Sequence, residues 1–325
     1  MLAVVCDAYG RLEELQLSQL PDPEPGPGEV VIDVFAAGVN FPDLLLVRGL
    51  YQFKPQPPFA PGGEAAGVVA ALGEGVDPSW LGRAVFGTAL YGAFAQKMKL
   101  DVKKIAPLPA GLSLTEAAGI GITYGTSYYA LKDRAALRQG EKLLVLGAAG
   151  GVGIAAVQLG KAMGATVIAA ASSQEKLAVA GASGADHLID YSAETLKDRL
   201  KEITGGKGVD VVYDPVGGEL TEQAFRNLAW DGRHLVIGFA SGTIPKLPAN
   251  LALLKNASLV GVFWGTWTER EPRAAAENLE QLGRWLAEGR LKPLVKAYPM
   301  EDFAAALAEV DERRVKGKIV LEVTR

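Results

Sequence analysis

From about residue 122 onward the chain alternates short apolar runs with segments of helical length, and this constrains its fold more than any other feature. KLLVLGA leads into GVGIAAVQLGKAMG, TVIAAAS into SQEKLAVAGASG, HLIDY into SAETLKDRLKEITG, and VDVVYDPV into GELTEQAFRNLA. HLVIGF and SLVGVFW close the series. Strands with almost no polar face are buried on both sides, which calls for a parallel sheet covered by helices above and below. The pattern predicts an α/β unit with a doubly wound, six-stranded parallel sheet. The apolar stretch 143–171 is not a membrane span, because Gln158, Lys161 and several glycines interrupt it.

The first 121 residues have another rhythm. Pro21, Pro23, Pro25 and Pro27, with Gly26 and Gly28, make a stiff loop that feeds EVVIDVFAAGV. EAAGVVAAL and RAVFGTAL follow between Gly, Asp and Pro punctuation, an irregular β-rich pattern that suggests a partly closed barrel. After 265 come two helical runs, RAAAENLEQLGRWLAEG and MEDFAAALAEVDERR, and a last strand, GKIVLEV. A length of 325 residues suits two domains.

Composition narrows the chemistry. With 33 basic and 37 acidic residues the net charge is −4, so neither nucleic acid nor an anionic membrane is an expected partner. Cys6 is the only cysteine and cannot form an internal disulfide. The opening MLAVVCDAYG lacks the basic and apolar regions of a secretion signal, and a soluble cytoplasmic protein is expected. His187 and His234 are the only histidines, with no CxxC, HExxH or GxSxG motif. That argues against a Cys/His zinc cluster and against a Ser-His-Asp hydrolase. Both histidines are expected to be structural residues at strand ends.

The strongest motif is Gly147-Ala148-Ala149-Gly150-Gly151-Val152-Gly153, directly after one predicted strand and opening a helix. At Gly150 the absent side chain lets the backbone approach a pyrophosphate, and the unpaired N–H groups at 151–153 lie at the positive end of the helix dipole. Gly153 allows tight packing of helix on sheet. The context predicts dinucleotide binding. About 20 residues on, where an NAD site carries an acidic residue, this chain has Ser172 and Ser173, with Lys176 one turn later. Two hydroxyls and an ammonium suit a 2′-phosphate, with no carboxylate expected there to repel it, which predicts NADPH rather than NADH.

Along its whole length the chain resembles the zinc-independent NADPH:quinone oxidoreductases of the medium-chain dehydrogenase/reductase superfamily. The resemblance is carried by PDPEPGPGEVVI, AAGVNFPDLL, PFAPGGEAAGVV, GAAGGVGIAAVQLGKAMGA, HLIDY and GKIVL. It implies a GroES-like catalytic domain from residues 1–121 and 265–325, with an NADPH-binding Rossmann domain at 122–264 inserted between. Zinc-dependent relatives carry Cys at the position of Asn40 and His at that of Gly63, so Lewis-acid activation of an alcohol is not expected.

By the same resemblance, Asn40 and Thr126 would flank the nicotinamide, Tyr191 would approach the adenosine phosphate, and Phe239 and Phe263 would line the cofactor channel. Arg313 would reach a cofactor phosphate. Several relatives have NFxDxY, where this chain places Leu45; Tyr51 and Tyr124 are then the candidate hydroxyls at the acceptor. The implied activity is NADPH-dependent quinone reduction by hydride or single-electron transfer. Reduction of 2-alkenals, enones or enoyl thioesters is the alternative, and a non-catalytic crystallin-like or nucleic-acid-binding role a further one. Family members pair the last Rossmann strand, here SLVGVFW, across a homodimer.

Overall fold

The computed structural model describes residues 1–323, which divide into two compact units. The first comprises Met1–Ile122 and Pro293 onward; the second is Thr123–Lys292.

In the first unit, β1 (Leu2–Val5) and β2 (Gln16–Gln19) form a small antiparallel ribbon. The proline loop delivers the chain into β3 (Glu29–Gly38), the long central strand, which ends at Asn40 and α1 (Phe41–Val47). Next come β4 (Glu64–Leu72), β5 (Ala84–Thr88), β6 (Lys97–Asp101) and β7 (Ile105–Pro107), then α2 (Leu114–Ala117). β3 pairs antiparallel with β4 over most of its length and also with β6, and two register shifts in the β3–β4 ladder bend it. Such irregularities curl a sheet, in keeping with the expected barrel-like form. Its interior is apolar: Val30, Ile32, Val34, Phe94, Met98 and Leu100 are all buried.

The second unit opens with α3 (Gly121–Tyr128, its first two residues in the first unit). It continues with β8 (Lys142–Leu146), α4 (Gly151–Ala162), β9 (Thr166–Ala171), α5 (Gln174–Ala182), β10 (His187–Asp190) and α6 (Leu196–Thr204). β11 (Val209–Asp214), α7 (Glu219–Arg226), β12 (Leu228–Val236), α8 (Asn250–Lys255) and β13 (Ser258–Gly261) complete the sheet. Strand order is β10-β9-β8-β11-β12-β13, all parallel, with Leu143–Leu146, Val167–Ala171 and Val211–Tyr213 fully or almost fully buried. This is the six-stranded doubly wound sheet expected from the sequence. The order reverses between β8 and β11, the crevice where such sheets bind ligands.

Two helices end the second unit, α9 (Trp264–Arg270) and α10 (Pro272–Ala287). The expected return to the catalytic domain at 265 therefore falls too early, since the chain rejoins the first unit only at Pro293. Trp267 stacks on Tyr129 with ring centroids 4.2 Å apart, Trp285 packs edge-on to Tyr128, and Asn278 exchanges hydrogen bonds with Lys132 and Asp133. These contacts hold both helices to the last residue of α3 and the segment that follows it. Past Pro293 the chain completes the first sheet through β14 (Val295–Pro299), α11 (Phe303–Asp311) and β15 (Lys318–Glu322), with β15 antiparallel to β3.

Candidate active site

The glycine turn lies between β8 and α4, at the carboxyl end of the sheet. Gly147 has φ +58°, a left-handed conformation that favours glycine. At Gly153 a Cβ would lie 2.3 Å from the Gly147 carbonyl oxygen and 2.8 Å from Ala148 Cα, so only glycine lets the helix start this close to the strand. A Cβ at Gly150 would meet nothing nearer than 3.6 Å; that side of the turn is open. The first intrahelical bond runs from Ile154 N–H to Gly150 O, which leaves the N–H groups of Gly151 and Val152 ahead of it at the helix start. An open glycine flank beside N–H donors with no intrahelical acceptor fits a dinucleotide pyrophosphate.

At the end of β9, Ser173 caps α5 by accepting the Lys176 N–H at 3.3 Å, and Lys176 Nζ donates to Ser172 Oγ at 3.1 Å. The capping and phosphate roles for these residues are compatible, as one hydroxyl and one ammonium are held together beside a helix N-terminus. Tyr191 joins the same edge through its N–H to Ala171 O at 3.1 Å. A carboxylate stands there too: Asp190, buried, accepts from Gln174 Nε2 at 3.2 Å and from Ser192 Oγ at 2.6 Å. The hydrogen bond from Ser192 holds the Asp190 carboxyl below its ordinary range. Linear spacing counted from the glycine turn along β9 did not place this acid, because it comes from the neighbouring strand, where Asp190 pairs with Ala171.

The first unit holds a buried polar cluster at the end of β3. Lys318 Nζ is 2.7 Å from Glu64 Oε1 and donates to Val39 O at 2.8 Å and to Asn40 Oδ1. Asn40 Nδ2 donates to Glu64 Oε1 at 3.0 Å and to Gly38 O at 3.3 Å. Glu64 Oε2 accepts the Ile122 N–H at 2.8 Å, and Asp43 reaches back to the Asn40 N–H at 2.7 Å. Both amide protons of Asn40 are thus engaged inside the unit. Burial pushes the Asp43 carboxyl up to about 7, against the pull of the Asn40 N–H and of Lys318.

Sequence reasoning singled out NFPDLL, PGGE and GKIVL but missed Asp43 and Lys318 as members of this cluster. The available signal was a lysine inside the otherwise apolar strand GKIVLEV, which needs a buried acid. The donors present are an amide and two carboxylates, with an ammonium already neutralising Glu64. This set does not fit a zinc ion, which is held by thiolate and imidazole in the dehydrogenases that use it.

The remaining candidates belong to both units. Tyr51 is half-buried, and its N–H returns to Leu45 O at 3.2 Å; burial and then the Asp43 charge raise its phenol. Tyr124 is buried, its hydroxyl donating to Gln158 Oε1 at 3.0 Å, which places it in the interior of the second unit. Thr126 is half-buried on α3, Phe239 packs against Gly217, Phe263 is exposed ahead of α9, and Arg313 is exposed with φ +57°. His187 starts β10 as expected. His234 instead lies inside β12, fully buried, with Nε2 3.0 Å from Asp214 Oδ2.

Residues 26–110 match the alcohol dehydrogenase GroES-like domain, and residues 151–281 match the domain described as zinc-binding dehydrogenase. The chain belongs to the medium-chain dehydrogenase/reductase superfamily, among its quinone-oxidoreductase-like members. It is 38% identical to quinone oxidoreductase-like protein 2 of Bos taurus over 91% of this chain and 86% of the relative. The crystal structure of Escherichia coli quinone oxidoreductase complexed with NADPH superposes with a TM-score of 0.91 at 31% identity, covering 99% of this chain and all of the other. That of CurK enoyl reductase gives 0.90 at 27% identity, with 99% of each chain covered. Among the described residues no helix is long and apolar enough to cross a membrane.

Proposed function

We propose that this protein is an NADPH-dependent reductase of quinones that works without zinc. The observation that carries the reading is the open glycine turn at the sheet's switch point with the Ser172–Lys176 pair at the next strand. The likeness to a quinone oxidoreductase complexed with NADPH supports it. When bound, NADPH supplies a hydride, and a quinone is electron-poor enough to accept it without a Lewis acid.

The residues of this chain bind and orient. Gly150, Gly151 and Val152 hold the pyrophosphate, while Ser172, Ser173 and Lys176 hold the 2′-phosphate. Tyr191, Thr126, Phe239, Phe263 and Arg313 complete the cofactor contacts. Asn40, its amide fixed by Glu64 and Lys318, presents a rigid wall to the acceptor. Tyr51, near Asp43, is the hydroxyl assigned to deliver a proton, in preference to the interior Tyr124. Burial raises the neighbouring Asp43 carboxyl to about 7, and the charge on Asp43 adds to burial in raising the Tyr51 phenol.

A second reading, reduction of an enal or enoyl thioester, is favoured by the likeness to an enoyl reductase. We also propose a homodimer through β13, the sheet's edge strand, on which Leu259 is 54% exposed. The deciding experiment follows NADPH oxidation at 340 nm with 9,10-phenanthrenequinone and with a 2-alkenal, EDTA present. Quinone-dominated turnover is expected. Alkenal-dominated turnover replaces the substrate class, and loss of all activity in EDTA overturns zinc independence.

A further inference from the structure

Two tethers converge on the glycine turn from the strand beside it. Tyr213 pairs with Val145 across the β8–β11 ladder, and its hydroxyl lies 2.8 Å from Ser127 Oγ. Ser127 Oγ in turn is 3.1 Å from the Val152 carbonyl oxygen. A serine has one hydroxyl proton. Given to Val152 O, it leaves Ser127 to accept from Tyr213, so the chain of donors runs Tyr213 to Ser127 to Val152. Burial pushes the Tyr213 phenol up, against the pull of Ser127, which keeps it a donor at any working pH. Both side chains are fully buried.

The second tether leaves the next residue on the opposite face of the strand. Asp214 Oδ1 accepts the N–H groups of Val216 and Gly217, each at 2.9 Å. Its Oδ2 accepts from Thr221 Oγ1 at 2.6 Å and faces His234 Nε2. Burial raises this carboxyl, but the His234 and Thr221 bonds outweigh it and hold it low, so it stays an acceptor. The turn so formed lays Val216 on the glycine loop: a Cβ at Gly147 would be 2.9 Å from Val216 Cγ2. Gly147 starts the loop and Val152 lies in the first turn of the helix. The two tethers therefore grip both ends of the segment whose N–H groups face the phosphates.

We propose that the carboxyl end of β11 sets the shape of the cofactor turn, with Tyr213 and Ser127 as positioning residues on Val152 and Asp214 acting through Val216 on Gly147. The inference rests on the reading that this turn binds NADPH. In this proposal these side chains act through the backbone of the turn that would hold the cofactor. Preorganised N–H donors bind an anion without the cost of ordering the loop, so losing a tether weakens binding while leaving the chemistry alone.

The test compares Tyr213→Phe, Ser127→Ala, the double variant, Ser127→Thr and Val216→Ala with the wild type. NADPH dissociation constants, KM and kcat are measured, with melting of the free protein as a control. Tyr213→Phe and Ser127→Ala should each weaken NADPH binding about 5- to 10-fold, the worth of one hydrogen bond. The quinone KM and kcat should stay within twofold. The double variant should be no worse than the weaker single, since both cut one tether. Ser127→Thr should restore binding, and Val216→Ala should weaken it independently.

Lower melting temperatures with an unchanged NADPH constant would make the tethers merely structural and overturn the proposal. Should Tyr213→Phe not fold, the smaller Ser127→Ala decides. A wild type that prefers NADH overturns only the cofactor choice, and the series is then read with NADH. If wild type binds neither dinucleotide, both readings fall.

Discussion

Lys318 and Glu64 form an ion pair of 2.7 Å in the interior of the first unit, with side chains 7% and 2% exposed. The charges come from β15 and β4, and Asn40 bridges them by accepting from the lysine and donating to the glutamate. Removing one partner of such a pair leaves an uncompensated buried charge, at about 3–5 kcal/mol. Lys318→Met should lower unfolding stability by that amount in urea titration. The double change Lys318→Met/Glu64→Gln should recover much of it. Equal loss in both variants would show that lysine packing, rather than charge pairing, dominates.

Asp43 predicts a pH dependence. Its carboxyl is raised from its ordinary value to about 7 in the folded chain, chiefly by burial. Between about pH 4 and pH 7 the folded state retains a proton that the unfolded state has lost, so this group's contribution to stability falls as pH rises and levels off above 7. The slope approaches about 1.4 kcal/mol per pH unit. In Asp43→Asn the corresponding decline should vanish. Denaturation midpoints of the two proteins at pH 5 and pH 8 give the comparison; parallel curves would mean Asp43 is ionised throughout.

Cofactor choice should depend on Lys176. Its ammonium is held at Ser172 Oγ, and a charge-assisted contact with a 2′-phosphate is worth about 1.5–3 kcal/mol. Lys176→Ala is expected to weaken NADPH binding about 10-fold or more and to leave NADH within twofold. Because the contact is ionic, the NADPH deficit should shrink as salt is raised. An equal loss for both cofactors would instead assign Lys176 to the folding of α5.

The β13 edge should control assembly. Leu259 and Phe263 are exposed at and beside this strand. Leu259→Lys puts a charge on the edge, a substitution that blocks strand pairing. Light scattering at micromolar concentration should give a dimer mass for the wild type and a monomer mass for the variant. A monomeric wild type ends the dimer proposal.

What the sequence determined by itself was local in origin. Each strand–helix repeat of the second unit is written within one short stretch of chain, and the turn at Gly147–Gly153 needs glycine for its own backbone geometry. The sheet and the place of its glycine turn are therefore legible in the order of residues alone. The amphipathic run of α10 announced a helix with an apolar face but not which unit that face covers; Tyr128, Lys132 and Asp133 settled that only on folding.

The polar clusters were decided by tertiary structure alone. Lys318 and Asn40 are 278 positions apart, Ser127 and Tyr213 are 86 apart, and no periodicity links them. What selects these partners is burial: a charge or hydroxyl taken out of water must find its complement within hydrogen-bond reach, wherever along the chain that complement lies.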